Sequence, residues 1–246
     1  MNDANATRLA LALIALGLLM LLAGACYRWQ HRAAPNPGTV VVAEVPKRQH
    51  AEFGQQRPSQ DARRVSDWVV ATDDAQGRAF MVIDKKRATL YVFDASGLLV
   101  GSAPVLLGFA RGDRAVPGIG QRPLSQVRPF ERTTPAGRFV TEPGRNLNGE
   151  DVVWIDYDAA VSMHRVRATV AAEQRLQRLA SRTSADNRIS FGCINVPAEF
   201  YDAVVGPLFL RASGVAYVLP EASALHDVFG GLGVLAHSAA GTASVL

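Results

Sequence analysis

With 246 residues, 48% of them apolar, the chain is long enough for one domain with a proper core plus appendages, and too short for two large ones. Its formal charge of +4 at pH 7 does not mark a nucleic-acid binder, because the basic residues, nearly all arginine, are scattered with no run of five or six.

From Leu9 to Cys26 the chain is apolar and carries no charge. As a helix rising about 1.5 Å per residue this run reaches roughly 27 Å, close to the thickness of a bilayer core. Arg8 precedes it and Arg28 and Arg32 follow, so the positive-inside rule does not settle an orientation. Ala23-Gly24-Ala25 offers a cleavage site and Cys26, directly after it, a position for lipidation. Uncleaved anchor, cleaved signal and lipoprotein all stand open, and each exports the folded part. The expectation is a signal sequence or membrane anchor over residues 1–27, touching the inner membrane through residues 9–26, with the rest in the periplasm or cell envelope.

Between Tyr27 and about Asp74, Pro, Gln, Arg, Asp and Ala alternate without sustained periodicity, which predicts a tether over residues 28–75 with little structure. Val40 to Val42 and Trp68-Val69-Val70 are its apolar patches. Near Ala79 the texture changes. Phe80 to Asp84 and Thr89 to Phe93 are β-branched and aromatic runs around a charged turn, Lys85-Lys86-Arg87, and predict a hairpin. Asp94 to Gly97 supplies a second turn, and Leu98 to Gly108 reads as a strand entering a Gly/Pro-rich loop from Arg111 to Pro129. Arg138 to Thr141 and Val152 to Ile155 continue the short strands, so the fold class is mainly β, a sandwich or barrel. Two segments depart from it. Val170 to Leu179 is rich in helix formers, and Pro197 to Val205 opens like a helix, with Pro at its first turn and Glu199 close behind. Val215 to Leu219 predicts a closing strand. The domain thus spans residues 76–222, and the Ala/Gly/Ser-rich residues 223–246 read as a weakly structured tail.

An exported protein sits where disulfides persist, yet only Cys26 and Cys193 are present and Cys26 belongs to the targeting segment. A lone thiol is ordinarily a small buried hydrophobe. Cys193, however, follows Gly192 at an apparent strand end in Ile189-Ser190-Phe191-Gly192-Cys193-Ile194-Asn195, where the chain can turn tightly and backbone N–H groups can face an oxyanion. A thiol with a pKa of about 8.5 needs a base to become a thiolate at neutral pH. Histidines occur at positions 31, 50, 164, 226 and 237, and of these His164 alone lies within the strand-rich region.

Serine and metal chemistries lack their signatures. There is no G-x-S-x-G elbow, no S-x-x-K, no H-E-x-x-H and no paired C-x-x-C. No cofactor is expected. The segment resembles the motif of YkuD-type L,D-transpeptidases, a histidine followed downstream by Ser/Thr-His-Gly-Cys-apolar-Arg/Asn, and Ser190, Gly192, Cys193, Ile194 and Asn195 match it in order. Upstream, Thr134-Pro135-Ala136-Gly137-Arg138-Phe139 is similar to the family's Thr-Pro-x-Gly-x-Phe strand entry, and Ile83-Asp84 through Leu90-Tyr91-Val92 to its opening hairpin. The likeness runs over roughly residues 79 to 219. Phe191 stands where the family usually has histidine, Arg165 follows His164 where glycine is common, and the interval from His164 to Cys193 is longer than usual.

The resemblance implies an L,D-transpeptidase-like sandwich with one or two short helices behind an N-terminal hydrophobic helix. It implies an enzyme in which Cys193 attacks a peptide carbonyl of a peptidoglycan stem, His164 serves as base, Gly192 and Cys193 N–H groups hold the oxyanion, and a thioester forms, and it implies a target that carbapenems acylate. Ser190 then belongs with the catalytic loop, and the Arg165 carbonyl orients the imidazole. Asn195, Arg165, Phe191 and Arg188 are the expected substrate-side residues; Arg145 and the arginines of the Arg111 to Arg128 loop offer further carboxylate partners, with solvated surface charge the expectation for most of them. Two alternatives remain: a peptidoglycan peptidase using the same acyl-enzyme, and a non-catalytic wall-binding module of the same fold. No nucleic acid is expected as a partner, and no oligomeric state is specified.

Overall fold

The computed structural model describes residues 48–232. The expected hydrophobic helix at residues 9–26, residues 28–47 of the expected tether and the end of the tail lie outside the described residues. Among the described residues no helix is long and apolar enough to cross a membrane.

The expected hairpin forms as β1 (Phe80–Asp84) and β2 (Thr89–Phe93). After it come β3 (Leu99–Pro104), β4 (Leu107–Gly108), β5 (Gly137–Val140), β6 (Glu142–Arg145), β7 (Asp151–Asp156) and β8 (Val161–Arg165). β9 (Arg188–Ser190), β10 (Ile194–Val196) and β11 (Val215–Val218) complete the strands. They build a five-stranded sheet in the order β3-β2-β1-β11-β5, a four-stranded sheet in the order β10-β8-β7-β6, and a small β4-β9 pair. β1 runs parallel to β11 and β8 parallel to β10. The Gly/Pro-rich stretch is irregular as expected, broken only by short 3-10 turns such as Ile119–Gln121. The described fold is mainly β, with the expected short helical pieces at Arg175–Ala180 and along Ala198–Phe200, Tyr201–Val205 and Gly206–Phe209.

The two faces of the five-stranded sheet bury different partners, because successive side chains of a strand point to opposite sides. Met81, Ile83, Leu90, Val92, Ala216 and Val218 face the four-stranded sheet and meet Val153, Met163, Ile194 and Val196. Phe80, Val82, Tyr91, Phe93, Val215 and Tyr217 face the other way. They are covered by a helix the sequence reading did not anticipate, α1 (Gln60–Thr72), inside the segment for which little structure was expected. Ser59 caps it by accepting the Ala62 N–H at 3.0 Å, Asp61 sits in its first turn, and Asp73 ends it in the left-handed conformation. Its buried residues Ala62, Val65, Ser66 and Val69 follow the i, i+3, i+4, i+7 spacing of one helical face. Leu225, Phe229 and Leu232 join the same cluster, so the first part of the expected loose tail is packed, with a short helix at Leu225–Val228. A strand buried on both faces reads as a continuous apolar run instead of an alternation, and this is the texture of β1 and β2.

Trp68 anchors this outer layer, edge-on to Tyr217 with ring centroids 6.0 Å apart and tilted against Phe229 at 6.4 Å. Trp68→Ala should therefore cost about 3–5 kcal/mol in a urea-unfolding measurement. A cost within about 0.5 kcal/mol, typical of a surface position, would show that the helix is not integral to the domain.

Candidate active site

β8 carries two kinds of side chain. Val161 and Met163 enter the inter-sheet core, while Ser162 and His164, two residues apart, share the opposite face. β10 lies parallel beside it, with Ile194 opposite Met163 and Asn195 opposite His164. Cys193 immediately precedes β10, so the same register carries it toward Ser162. Its Sγ lies 3.7 Å from Ser162 Oγ and 3.6 Å from the Ala160 carbonyl. Ala160 closes the turn before β8 in the left-handed region, at φ 52°.

The loop before the cysteine is held by side chains. Ser190 Oγ donates to the Cys193 carbonyl at 2.6 Å and accepts the Gly192 N–H at 3.1 Å. Thr134 Oγ1 donates to the Gly192 carbonyl at 2.8 Å and accepts the Gly108 N–H at 2.9 Å. Gly192 has φ 132°, and a Cβ there would lie 2.9 Å from the Thr133 carbonyl, so both conformation and space require glycine. The expectation that the Gly192 N–H faces an oxyanion is corrected by this bond: Ser190 occupies that donor. The Cys193 N–H makes no hydrogen bond to another described residue.

These residues open onto a cleft of about 360 Å³, a size suited to a small ligand or a peptide stem. Ala160, His164, Ser190, Phe191, Cys193 and Asn195 line it together. One wall is the loop carrying Ile119, Arg122, Leu124 and Val127, and the other carries Arg167, Val170, Glu173 and Arg175. Phe191 is held by Arg132, whose guanidinium lies 3.8 Å above its ring.

His164 Nδ1 lies 2.8 Å from the Arg165 carbonyl and Nε2 lies 3.2 Å from Asn195 Nδ2. A carbonyl only accepts, so Nδ1 carries the proton in the neutral ring and Nε2 the lone pair. Burial works against the imidazolium at His164, but the neighbouring Cys193 and the Arg165 carbonyl outweigh it and hold the imidazole above its ordinary value. At Cys193, burial likewise opposes the thiolate, and His164 with Ser162 outweighs it and holds the thiol below its ordinary value.

Two expected substrate-side arginines lie elsewhere. Arg165 sends its guanidinium to Asp151 and Asp202 and over the Tyr201 ring, leaving only its carbonyl to the site. Arg188, at the start of β9, is buried against Glu221 and the Lys85 carbonyl. Its desolvated charge needs such a partner, which is why it is not offered to substrate. Arg145 bonds to the Gly149 carbonyl in its own hairpin. Residues to which the sequence reading gave no role in the site are Ser162, Arg167, Glu173 and Arg175, and Thr134, noted only as part of a strand entry, also reaches it through the Gly192 carbonyl.

Arg188 belongs to a buried charge cluster at the entry to β9. Lys85, wholly buried, directs its three ammonium protons to the Gly112 and Thr134 carbonyls and Asp113. Asp113 also accepts N–H groups of Glu221, Ala222 and Ser223. Burial works against its charge, but the backbone donors and Lys85 outweigh it and hold the carboxyl well below the usual range. A carboxyl depressed in the folded state stabilises the fold at pH values above the unfolded pKa of about 3.9, and the contribution is lost as pH falls from there toward the folded value. Asp113→Asn should accordingly cost about 3–5 kcal/mol at neutral pH, as expected for breaking a buried pair. That difference from the unsubstituted protein should shrink on acidification below about pH 4. A difference that stays constant down that range would assign the stabilisation to something other than the carboxylate.

Neither a family model nor a curated protein matches the chain. Among solved structures it is similar to an L,D-transpeptidase from Xylanimonas cellulosilytica, at 14% identity and a TM-score of 0.36 over 57% of this chain and 60% of that one. It is similar also to the Ldtfm-avibactam carbamoyl enzyme, at 15% identity and a TM-score of 0.35 over 58% of this chain and 49% of that one. A third likeness is to the catalytic domain of an E. faecium L,D-transpeptidase, at 17% identity and a TM-score of 0.31 over 58% of this chain and 98% of that one. The chain spans three-fifths or less of the length of the first two.

Proposed function

We propose that the protein is a cysteine acyltransferase, an L,D-transpeptidase that cross-links peptidoglycan stem peptides through a thioester. The observation that carries this reading is the placement of a half-buried thiol and a half-buried imidazole on one cleft, each shifting the other toward the charged form. The resemblance to the motif described above suggests the substrate class, and the export segment expected over residues 9–26 would bring that substrate within reach.

In this reading His164 Nε2 takes the thiol proton and Sγ bonds to the carbonyl carbon of a stem-peptide amide, whose π electrons move onto oxygen. The Cys193 N–H, which no other described residue accepts, is the backbone donor available to that charge, and Ser190 holds the Cys193 carbonyl. The oxyanion collapses, the C–N bond breaks, and the leaving amine takes the proton from the imidazolium. An amine of a second stem then attacks the thioester, gives its proton to His164 and releases the thiol. Water in place of that amine gives a peptidase by the same steps.

Cys193→Ser should abolish the covalent adduct formed with a carbapenem, seen by intact mass, and leave thermal unfolding little changed because the two side chains are nearly equal in size. An adduct on the serine variant means another nucleophile. His164→Ala should slow alkylation of Cys193 at neutral pH by roughly a hundredfold, the lower end of the range for loss of a positioned base. An alkylation rate unchanged across pH removes His164 from the role. Masses of products from purified muropeptides separate cross-linking from hydrolysis, and no turnover of either kind, without an adduct, leaves a wall-binding module.

A further inference from the structure

Asn195 is buried to 1% exposure, so both ends of its amide must find partners. One end faces Arg175 Nη1 and the other faces His164 Nε2 at 3.2 Å. A guanidinium has donors only, so the end toward Arg175 is the oxygen and the end toward the imidazole is the NH₂. That NH₂ can only donate. The lone pair of Nε2 that a thiol proton would occupy is therefore already accepting a hydrogen bond, while the thiol lies within reach of the Ala160 carbonyl. An imidazolium with a proton on Nε2 would meet the amide NH₂ head-on.

We propose that Arg175 is a positioning residue that restrains proton transfer from Cys193 to His164 by locking the Asn195 amide with its NH₂ toward the imidazole. Releasing Arg175 lets the amide turn over and present its oxygen to Nε2–H, which favours the thiolate–imidazolium pair. The cleft position of Arg175 makes a substrate carboxylate the natural competitor for its guanidinium, so that ligand entry and base release are coupled. This inference rests on the Cys193–His164 reading above.

The other charges around the imidazole leave Arg175 as the group in control. Glu173 accepts Arg175 Nε and holds it in place. On the imidazole's own strand the Arg165 guanidinium is turned to Asp151 and Asp202, on the wall of Arg175 itself Arg167 pairs with Glu150, and on the facing wall Arg122 pairs with Glu131. The positive charge of Arg175 acts in the same direction as the amide, lowering the proton affinity of His164.

The test is the ultraviolet absorbance of the thiolate against pH, read in the full chain as the difference from Cys193→Ser. Arg175→Met should raise the thiolate share at neutral pH by about threefold to tenfold, the shift an ordinary hydrogen bond imposes on an equilibrium. Arg175→Lys, which still donates to the amide oxygen, should stay near the parent. A thiolate share in Arg175→Met equal to or below the parent overturns the proposal. His164→Ala keeps the two readings apart: if it leaves the profile unchanged, the Cys193–His164 pairing itself fails, and if it alters the profile while Arg175→Met does not, only the role of Arg175 fails. Imidazole nitrogen NMR of the unsubstituted protein needs no variant to fold. The proposal expects the neutral ring to carry its proton on Nδ1 with Nε2 accepting, and a neutral ring protonated on Nε2 overturns it.

Discussion

The parallel pairing of β8 with β10 is the constraint from which the site follows. One register sends Met163 and Ile194 into the core and, by the period-two rule, turns His164 and Asn195 out together toward the cleft. A slip of one residue would bury the imidazole and expose the two apolar chains, so the hydrophobic effect that packs the core also fixes the site's geometry. Burying a leucine-sized side chain is worth about 1.5–3 kcal/mol, and several such chains depend on this register. The polar pair thus inherits its precision from apolar neighbours one position away.

Behind that pairing stands the buried cluster of Lys85, Asp113, Arg188 and Glu221. It ties the β1–β2 turn, the loop at residues 112–113, the entry to β9 and the chain after β11 into one hydrogen-bonded frame. Buried ion pairs seldom add much net stability over well-packed apolar residues, but leaving one member unpaired is severe. Such a cluster therefore favours one arrangement of four segments over any other. Lys85 also reaches the Thr134 carbonyl, and the Thr134 hydroxyl holds the Gly192 carbonyl, so the frame extends without a break to the residue before the thiol.

Much of this was legible in the sequence where the signal is local. The β1–β2 hairpin announced itself through two apolar runs about a charged turn, and Gly192-Cys193 through a glycine where the backbone turns. The helix at Gln60–Thr72 was missed although Ala62, Val65, Ser66 and Val69 carry the spacing of a helical face, because the surrounding Arg, Asp and Gln residues gave the segment the composition of a tether. Its reason to exist, the second apolar face of the five-stranded sheet, appears only once that sheet is assembled. Arg188 illustrates the opposite error. Next to the motif, it read as a carboxylate-binding side chain, and it does bind a carboxylate, that of Glu221, thirty-three residues on. Chain proximity reports the charge of a residue but not the direction in which its strand points it.

The position of Phe191 draws these strands together. A histidine there would offer the thiol a second polar neighbour, and the chain has instead an aromatic ring capped by Arg132. The polar company of the sulfur comes from the β8 side, from Ser162 Oγ and the Ala160 carbonyl. A hydroxyl can rotate to donate to a thiolate once it forms, whereas a carbonyl can only accept from a thiol. The two contacts therefore favour opposite protonation states of the same sulfur. The balance between them is set by whichever group controls the lone pair of His164, and the register of β10 places Asn195 on it.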